Sequence, residues 1–166
     1  MDKLLSNLNS LKSILDGNRI LQYNANGIIY QTECIFNPPV SLEEIESYAS
    51  QNGWLFPEQY KQFLQFSNGA FLFKDQYGSG VEFFSLSKIA ECHFDFIPDH
   101  WIPIAYYIGD FFLIDSSKVK ENKGYLLFQN HEQGFETPTI RFNIDFATWI
   151  ERLIITRANA FWNWNN

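Results

Sequence analysis

Residues 56–73 read FPEQYKQFLQFSNGAFLF and constrain the fold more than any other stretch. Pro57 suits the first turn of a helix, where a missing N–H costs nothing. Glu58 follows, and a negative charge there complements the helix dipole. Tyr60, Phe63, Leu64 and Ser67 are spaced i, i+3, i+4, i+7, so three large side chains share one face. Asn68-Gly69 supplies a stop, because glycine tolerates positive φ. Ala70-Phe71-Leu72-Phe73 then reads as a strand. No side chain in this stretch is an obvious catalyst, so the pattern is architectural.

The flanking segments extend it. Leu4, Leu5, Leu8, Leu11, Ile14 and Leu15 recur at helical spacing before Gly17. Two β-prone runs flank Asn24-Ala25-Asn26-Gly27, a hairpin signal that Pro38 and Pro39 close off. Ser41 and Glu44 have the spacing of a capping box, with Val40 and Ile45 as its staple. Leu42, Ile45, Tyr48 and Ala49 form the expected buried face, and Asn52-Gly53 ends that helix. Downstream, strands are expected at 81–86, on both sides of Gly109-Asp110 within 101–117, at 124–130 and at 139–144. A short helical turn is expected at 87–92. Asp145 caps a last helix facing inward through Phe146, Trp149, Ile150, Leu153 and Ile154. Helices followed by strands, with no repeat and no linker, predict one α+β domain across residues 1–166. Its sheet is antiparallel-rich, with helices packed against it.

Composition narrows the function classes. Hydrophobic residues make up 46% and charged residues 19%, which excludes a disordered chain. Aromatics reach 18%, enough for a Phe-rich core and for exposed anchors as well. The net charge of −7 argues against direct contact with nucleic acid or an anionic membrane. Residues 75–117 hold most of the imbalance: Asp75, Glu82, Glu91, Asp95, Asp99, Asp110 and Asp115 face a single base, Lys88. Such a field either steers a basic partner or simply keeps the surface solvated. Cys34 and Cys92 are too few for a disulfide framework and suit a reducing compartment. The N-terminal stretch lacks a continuous apolar signal region, and no run is long enough for a membrane span. A cytoplasmic location is the expectation.

Catalytic motifs are sparse. Residues 91–100, ECHFDFIPDH, gather Glu91, Cys92, His93, Asp95, Asp99 and His100 without any paired metal-ligand spacing. The segment reads as an acidic loop. His131 and Glu132 are adjacent, so on a strand they would point to opposite faces; a surface turn is expected. Tyr77-Gly78-Ser79-Gly80 lacks the lysine of a phosphate loop. No nucleophile elbow is present. No cofactor, metal or catalytic residue is assigned, and an enzyme working through His93, His100, His131 or carboxylates is the lesser alternative.

Taken in order, the motifs resemble the SUKH superfamily over about residues 40–155. LFPEQYKQFLQFSNGAFLF is similar to its Pro-x-x-Tyr/Phe-Lys-x-Phe-Leu segment and Asn-Gly-Gly stop. SLEEIESYASQNGW is similar to the helix before it. HWIPIAYYIGDFFLIDSS, GYLLFQNHE and DFATWIERLI resemble its hairpin, its following strand and its terminal helix. Ala70 replaces the second glycine, Tyr106-Tyr107-Ile108 replaces a Gly-Gly run, and Phe128 stands where Trp is common. The resemblance implies an α+β fold and a non-enzymatic role. Many bacterial members are immunity proteins that neutralise a cognate toxin, often a nuclease. Others are regulatory interaction modules related to cell-wall-synthesis regulators. Nucleases are usually basic, so an acidic inhibitor is consistent. On that basis Glu82, Glu91, Asp95, Asp99, Asp110 and Glu132 are the expected electrostatic contacts with a protein partner. Trp101, Tyr106 and Tyr107 are the expected anchors.

Overall fold

The computed structural model describes residues 2–24 and 26–163. Among them eight strands pair in chain order, each antiparallel to the next. They are β1 (Arg19–Tyr23), β2 (Ile29–Phe36), β3 (Ala70–Lys74), β4 (Val81–Phe83), β5 (Trp101–Tyr107), β6 (Asp110–Asp115), β7 (Leu126–Gln129) and β8 (Ile140–Arg141). The helices are α1 (Lys3–Ser13), α2 (Leu42–Gln51), α3 (Glu58–Phe66), α4 (Leu86–Cys92) and α5 (Phe146–Thr156). A 3-10 turn spans Ser116–Glu121 and another Phe161–Asn163. The chain is an α+β fold with an antiparallel sheet, as the sequence pattern predicts.

The helix caps behave as their residues dictate. Ser41 Oγ accepts from the Glu44 N–H at 3.2 Å, while Val40 and Ile45 are both buried. Leu42 does not join the buried face and stays exposed. Ile14 is likewise outside, because it is the residue that terminates α1. Pro57 stands one position before α3 rather than within its first turn, and its carbonyl accepts from Tyr60 and Lys61. Tyr60, Phe63 and Leu64 are fully buried.

Gly69 is required twice over. Its φ is +86°, and a Cβ there would lie 2.8 Å from the Ser85 nitrogen and 2.9 Å from the Phe83 carbonyl. Asn68 Oδ1 accepts from the Leu86 N–H, so the same turn ties α3 to α4. Ala70 is a buried strand residue opposite Phe83 and Phe36, which is why a side chain is tolerated there.

Strand ends differ from the sequence reading. Ser85 accepts from the Lys88 N–H and starts α4, so the strand expected through residue 86 stops at Phe83. The strands expected at 124–130 and 139–144 shorten to β7 and β8. The hairpin between β1 and β2 turns over residues 24–28, where Asn24 Oδ1 accepts from Asn26 and Ile28. Ala25, part of that expected turn, lies outside the described residues.

α1, α3 and α5 pack on one another and on one side of the sheet. Trp149 sits at the centre of this main core, 4.7 Å from the Phe112 ring and 5.8 Å from Phe83 by centroid. Asp145 caps α5 through Thr148, and its other oxygen accepts from Gln59 on α3 at 3.0 Å. Burial pushes that carboxyl up. The bonds from Gln59 and Thr148 outweigh it and hold the group below the usual carboxylate range.

Candidate protein-binding surface

Strand alternation decides what faces away from the helices. Phe83, Ala105, Phe112 and Phe128 point into the main core. Their neighbours Glu82, Tyr106, Phe111 and Gln129 point the other way and stand opposite one another in register. A bulge between Pro103 and Ala105 lets Ile104 and Ala105 both face inward and restores the alternation at Tyr106.

On this outer side a second, smaller core forms from Ile97, Trp101, Leu113 and Leu127. Two loops roof it. The first, residues 93–100, delivers Ile97 inward and leaves Phe94 and Phe96 at 44% and 60% exposure. The second, residues 130–139, is ordered by a fully buried Gln129. Its amide donates to the Gly134 carbonyl at 2.7 Å, and its oxygen accepts from the Thr139 N–H. Asp110 fastens the same loop to the β5–β6 hairpin: its Oδ1 accepts from the His131 N–H at 3.0 Å and meets His131 Nδ1 at 2.7 Å. Gly109 makes room, since a Cβ there would lie 2.9 Å from that ring nitrogen.

The rings on this side form a closed circuit. Phe94 stacks on Phe96 at 5.4 Å, Phe96 meets Phe135 at 5.2 Å, and both Phe135 and Phe94 reach Phe111 at 6.4 Å. Tyr106 adds a fifth ring 5.8 Å from Phe111. A recess of about 450 Å³ opens beside Phe96 and Phe135, lined also by His131, Gln133, Gly134 and Glu136.

The expected contact residues divide. Tyr106 is an exposed member of the aromatic surface, with Glu82 directly across from it on β4. Glu91, Asp95, Asp99 and Glu132 are exposed and form no ion pair among the described residues. Glu82 is paired with Lys88, and Asp110 is hydrogen-bonded to His131, so both already have an internal partner. Trp101 is not a surface anchor. It is 4% exposed and lies beneath the roof, 6.5 Å from Phe135. Tyr107 is on the opposite side, edge-on to Trp162 at 4.8 Å, because consecutive strand residues face opposite ways. Phe94, Phe96, Phe111 and Phe135 were not among the expected anchors. For Phe94 and Phe96 the signal is a pair of phenylalanines flanking Asp95 in a polar loop; Phe111 and Phe135 lie elsewhere in the chain.

His131 pairs with Asp110 rather than with the adjacent Glu132, and no hydroxyl or thiol nucleophile is bonded to it among the described residues. Burial pushes the Cys34 thiol up to about 11 and raises Cys92 as well, so neither is an activated thiolate. No three His, Cys, Asp or Glu side chains converge on a metal site among the described residues. Nor does any described helix have the length and apolarity to cross a membrane. A larger groove of about 850 Å³ lies between the β1–β2 hairpin and residues 74–77, but Arg19 and Glu33 on its wall already neutralise each other.

The fold and this surface together define an α+β protein with one helix-covered sheet face and one face given to exposed aromatic and acidic side chains. A model of the SMI1 / KNR4 family (SUKH-1) matches residues 39–152, and the chain belongs to that family. It is also similar to two proteins of Bacillus subtilis (strain 168). One is the uncharacterized protein YnaB, 30% identical over 132 residues, covering 78% of this chain and 87% of the relative. The other is the uncharacterized protein YobM, 29% identical over 168 residues, covering 95% of this chain and 89% of the relative.

Proposed function

We propose that this protein is a non-enzymatic immunity protein that binds and neutralises a basic toxin domain, a nuclease by preference, in the cytoplasm of the cell that makes it. The observation that carries this reading is the circuit of exposed and half-buried rings on the outer sheet face, with Asp95 between Phe94 and Phe96 and Glu132 in the adjoining loop, neither of them in an ion pair among the described residues. Aromatic anchors surrounded by complementary charge are the usual composition of an interface hot spot. The family to which the chain belongs supports the same reading, and so does the absence of an activated nucleophile among the described residues.

The test is co-expression with the C-terminal domain of a large secreted protein encoded beside this one, scored by growth and by purification of the complex. Rescue with a 1:1 complex is the expected result. Rescue without a complex would indicate enzymatic detoxification. Neither rescue nor complex would move the assignment to a regulatory interaction module. Within the complex, charge reversal at Glu91, Asp95 and Glu132 together slows association by about tenfold or more at low salt and flattens its salt dependence. Unchanged association kinetics would remove the acids from the interface.

A further inference from the structure

We infer that the recess beside Phe96 and Phe135 is a receptor for an arginine side chain presented by the basic partner, an assignment that rests on the reading above and gives it an atomic focus. Three features converge there. Phe96 is the most exposed ring of the circuit and borders the recess together with Phe135, so π faces are available to a cation. Glu136 lines the same recess and forms no ion pair among the described residues. Its carboxylate occupies the space that a side chain on Gly134 would take, so the absence of that side chain places a charge at the wall. The third feature is rigidity. Gln129 holds the Gly134 carbonyl, Asp110 holds His131, and the rings rest on the small core below, so the recess is formed before a partner arrives.

These features select arginine over lysine. Phe96 and Phe135 offer ring faces beside a single carboxylate, Glu136, and a compact, strongly hydrated ammonium gains less from the rings than a guanidinium does. A guanidinium is planar and weakly hydrated; it stacks on a ring while its N–H groups reach a carboxylate. A neutral isostere of the same shape gains neither the π attraction nor the ion pair.

The experiment is an NMR titration of the full chain with a capped hexapeptide alternating glycine and arginine. Parallel titrations replace arginine by lysine and by citrulline. The arginine peptide is expected to shift amides of residues 93–97 and 131–136 in a saturable way. The lysine peptide binds several-fold more weakly, and the citrulline peptide does not saturate. Phe96→Leu keeps apolar area and removes the π face; it weakens the arginine peptide about fivefold. Because Phe96 is exposed, this variant folds. Glu136→Gln produces a comparable loss and a shallower salt dependence. Equal binding of the citrulline peptide, shifts centred on Leu21, Tyr23 and Ile29, or no saturable shift would each overturn the assignment. Co-expression separates this outcome from the broader one. Protection by a protein that ignores the arginine peptide leaves immunity standing and removes only the receptor. Arginine binding without protection keeps the receptor and changes the class of partner.

Discussion

The two ends of the outer sheet face both expose apolar side chains, yet they are built differently. At the β1–β2 end, Leu21, Tyr23 and Ile29 are 61%, 70% and 68% exposed and stand side by side in register. Among the described residues, Leu21, Tyr23 and Ile29 belong to neither hydrophobic cluster. The edge strand is also shielded. Arg19 exchanges backbone bonds with Asp16, and the Arg157 guanidinium donates to the Leu21 carbonyl. Blocking an edge in this way prevents it from pairing with another chain. At the β5–β7 end the exposed rings sit on buried Trp101, Leu113 and Leu127, and hydrogen bonds fix the loops that carry them. Exposed apolar area alone therefore does not separate the two ends. Preorganisation of that area separates them, and the proposed function assigns the partner to the preorganised end.

The sharpest way to break this contrast is to remove the support from each end. Trp101→Ala empties the outer core and is expected to lower stability by about 3–5 kcal/mol in urea unfolding. Tyr23→Ala at the other end changes it by less than about 0.5 kcal/mol. Similar small losses for both would mean that the roof is not part of the cooperative fold. A smaller effect is expected for Gln129→Leu, about 1–3 kcal/mol, because the Gly134 carbonyl and the Thr139 N–H lose their partner. Amide exchange should accelerate across 131–139 and stay unchanged across 19–36. A further step down from Gln129→Leu, about 1 kcal/mol, is expected for Arg157→Ala. Its useful readout is sedimentation: uncapping the Leu21 carbonyl should make self-association concentration-dependent. A variant that stays monomeric at high concentration would show that the hairpin edge needs no guard.

Much of the fold could be read from local chemistry. Ser41, Asp145, Gly53 and Gly69 announce helix ends because each satisfies or avoids a specific backbone problem. Strand lengths were harder to read. Alternation shows that a segment is extended but not where its partner ends, and Ser85 had a second use as a helix cap. The site divided along the same line. Tyr106 and Glu82 could be placed as neighbours in kind, whereas Trp101 and Tyr107 required knowing which face is covered. Phe94 and Phe96 were obscured because the charges of ECHFDFIPDH dominate its reading. Their roles depend on Phe111 and Phe135, which arrive from distant parts of the chain.

The small outer core has a consequence for how such a protein can change over generations. Ile97, Trp101, Leu113 and Leu127 form a cluster separate from the one around Trp149. Substitutions in the two roofing loops fall mainly on this smaller cluster, and reach the main core through Phe111 and through His93, which packs on Trp54. Residues 94–96 and 131–138 can therefore be rewritten over generations while the same scaffold is inherited. The molecule keeps its heritable frame and its adjustable face on opposite sides of one sheet.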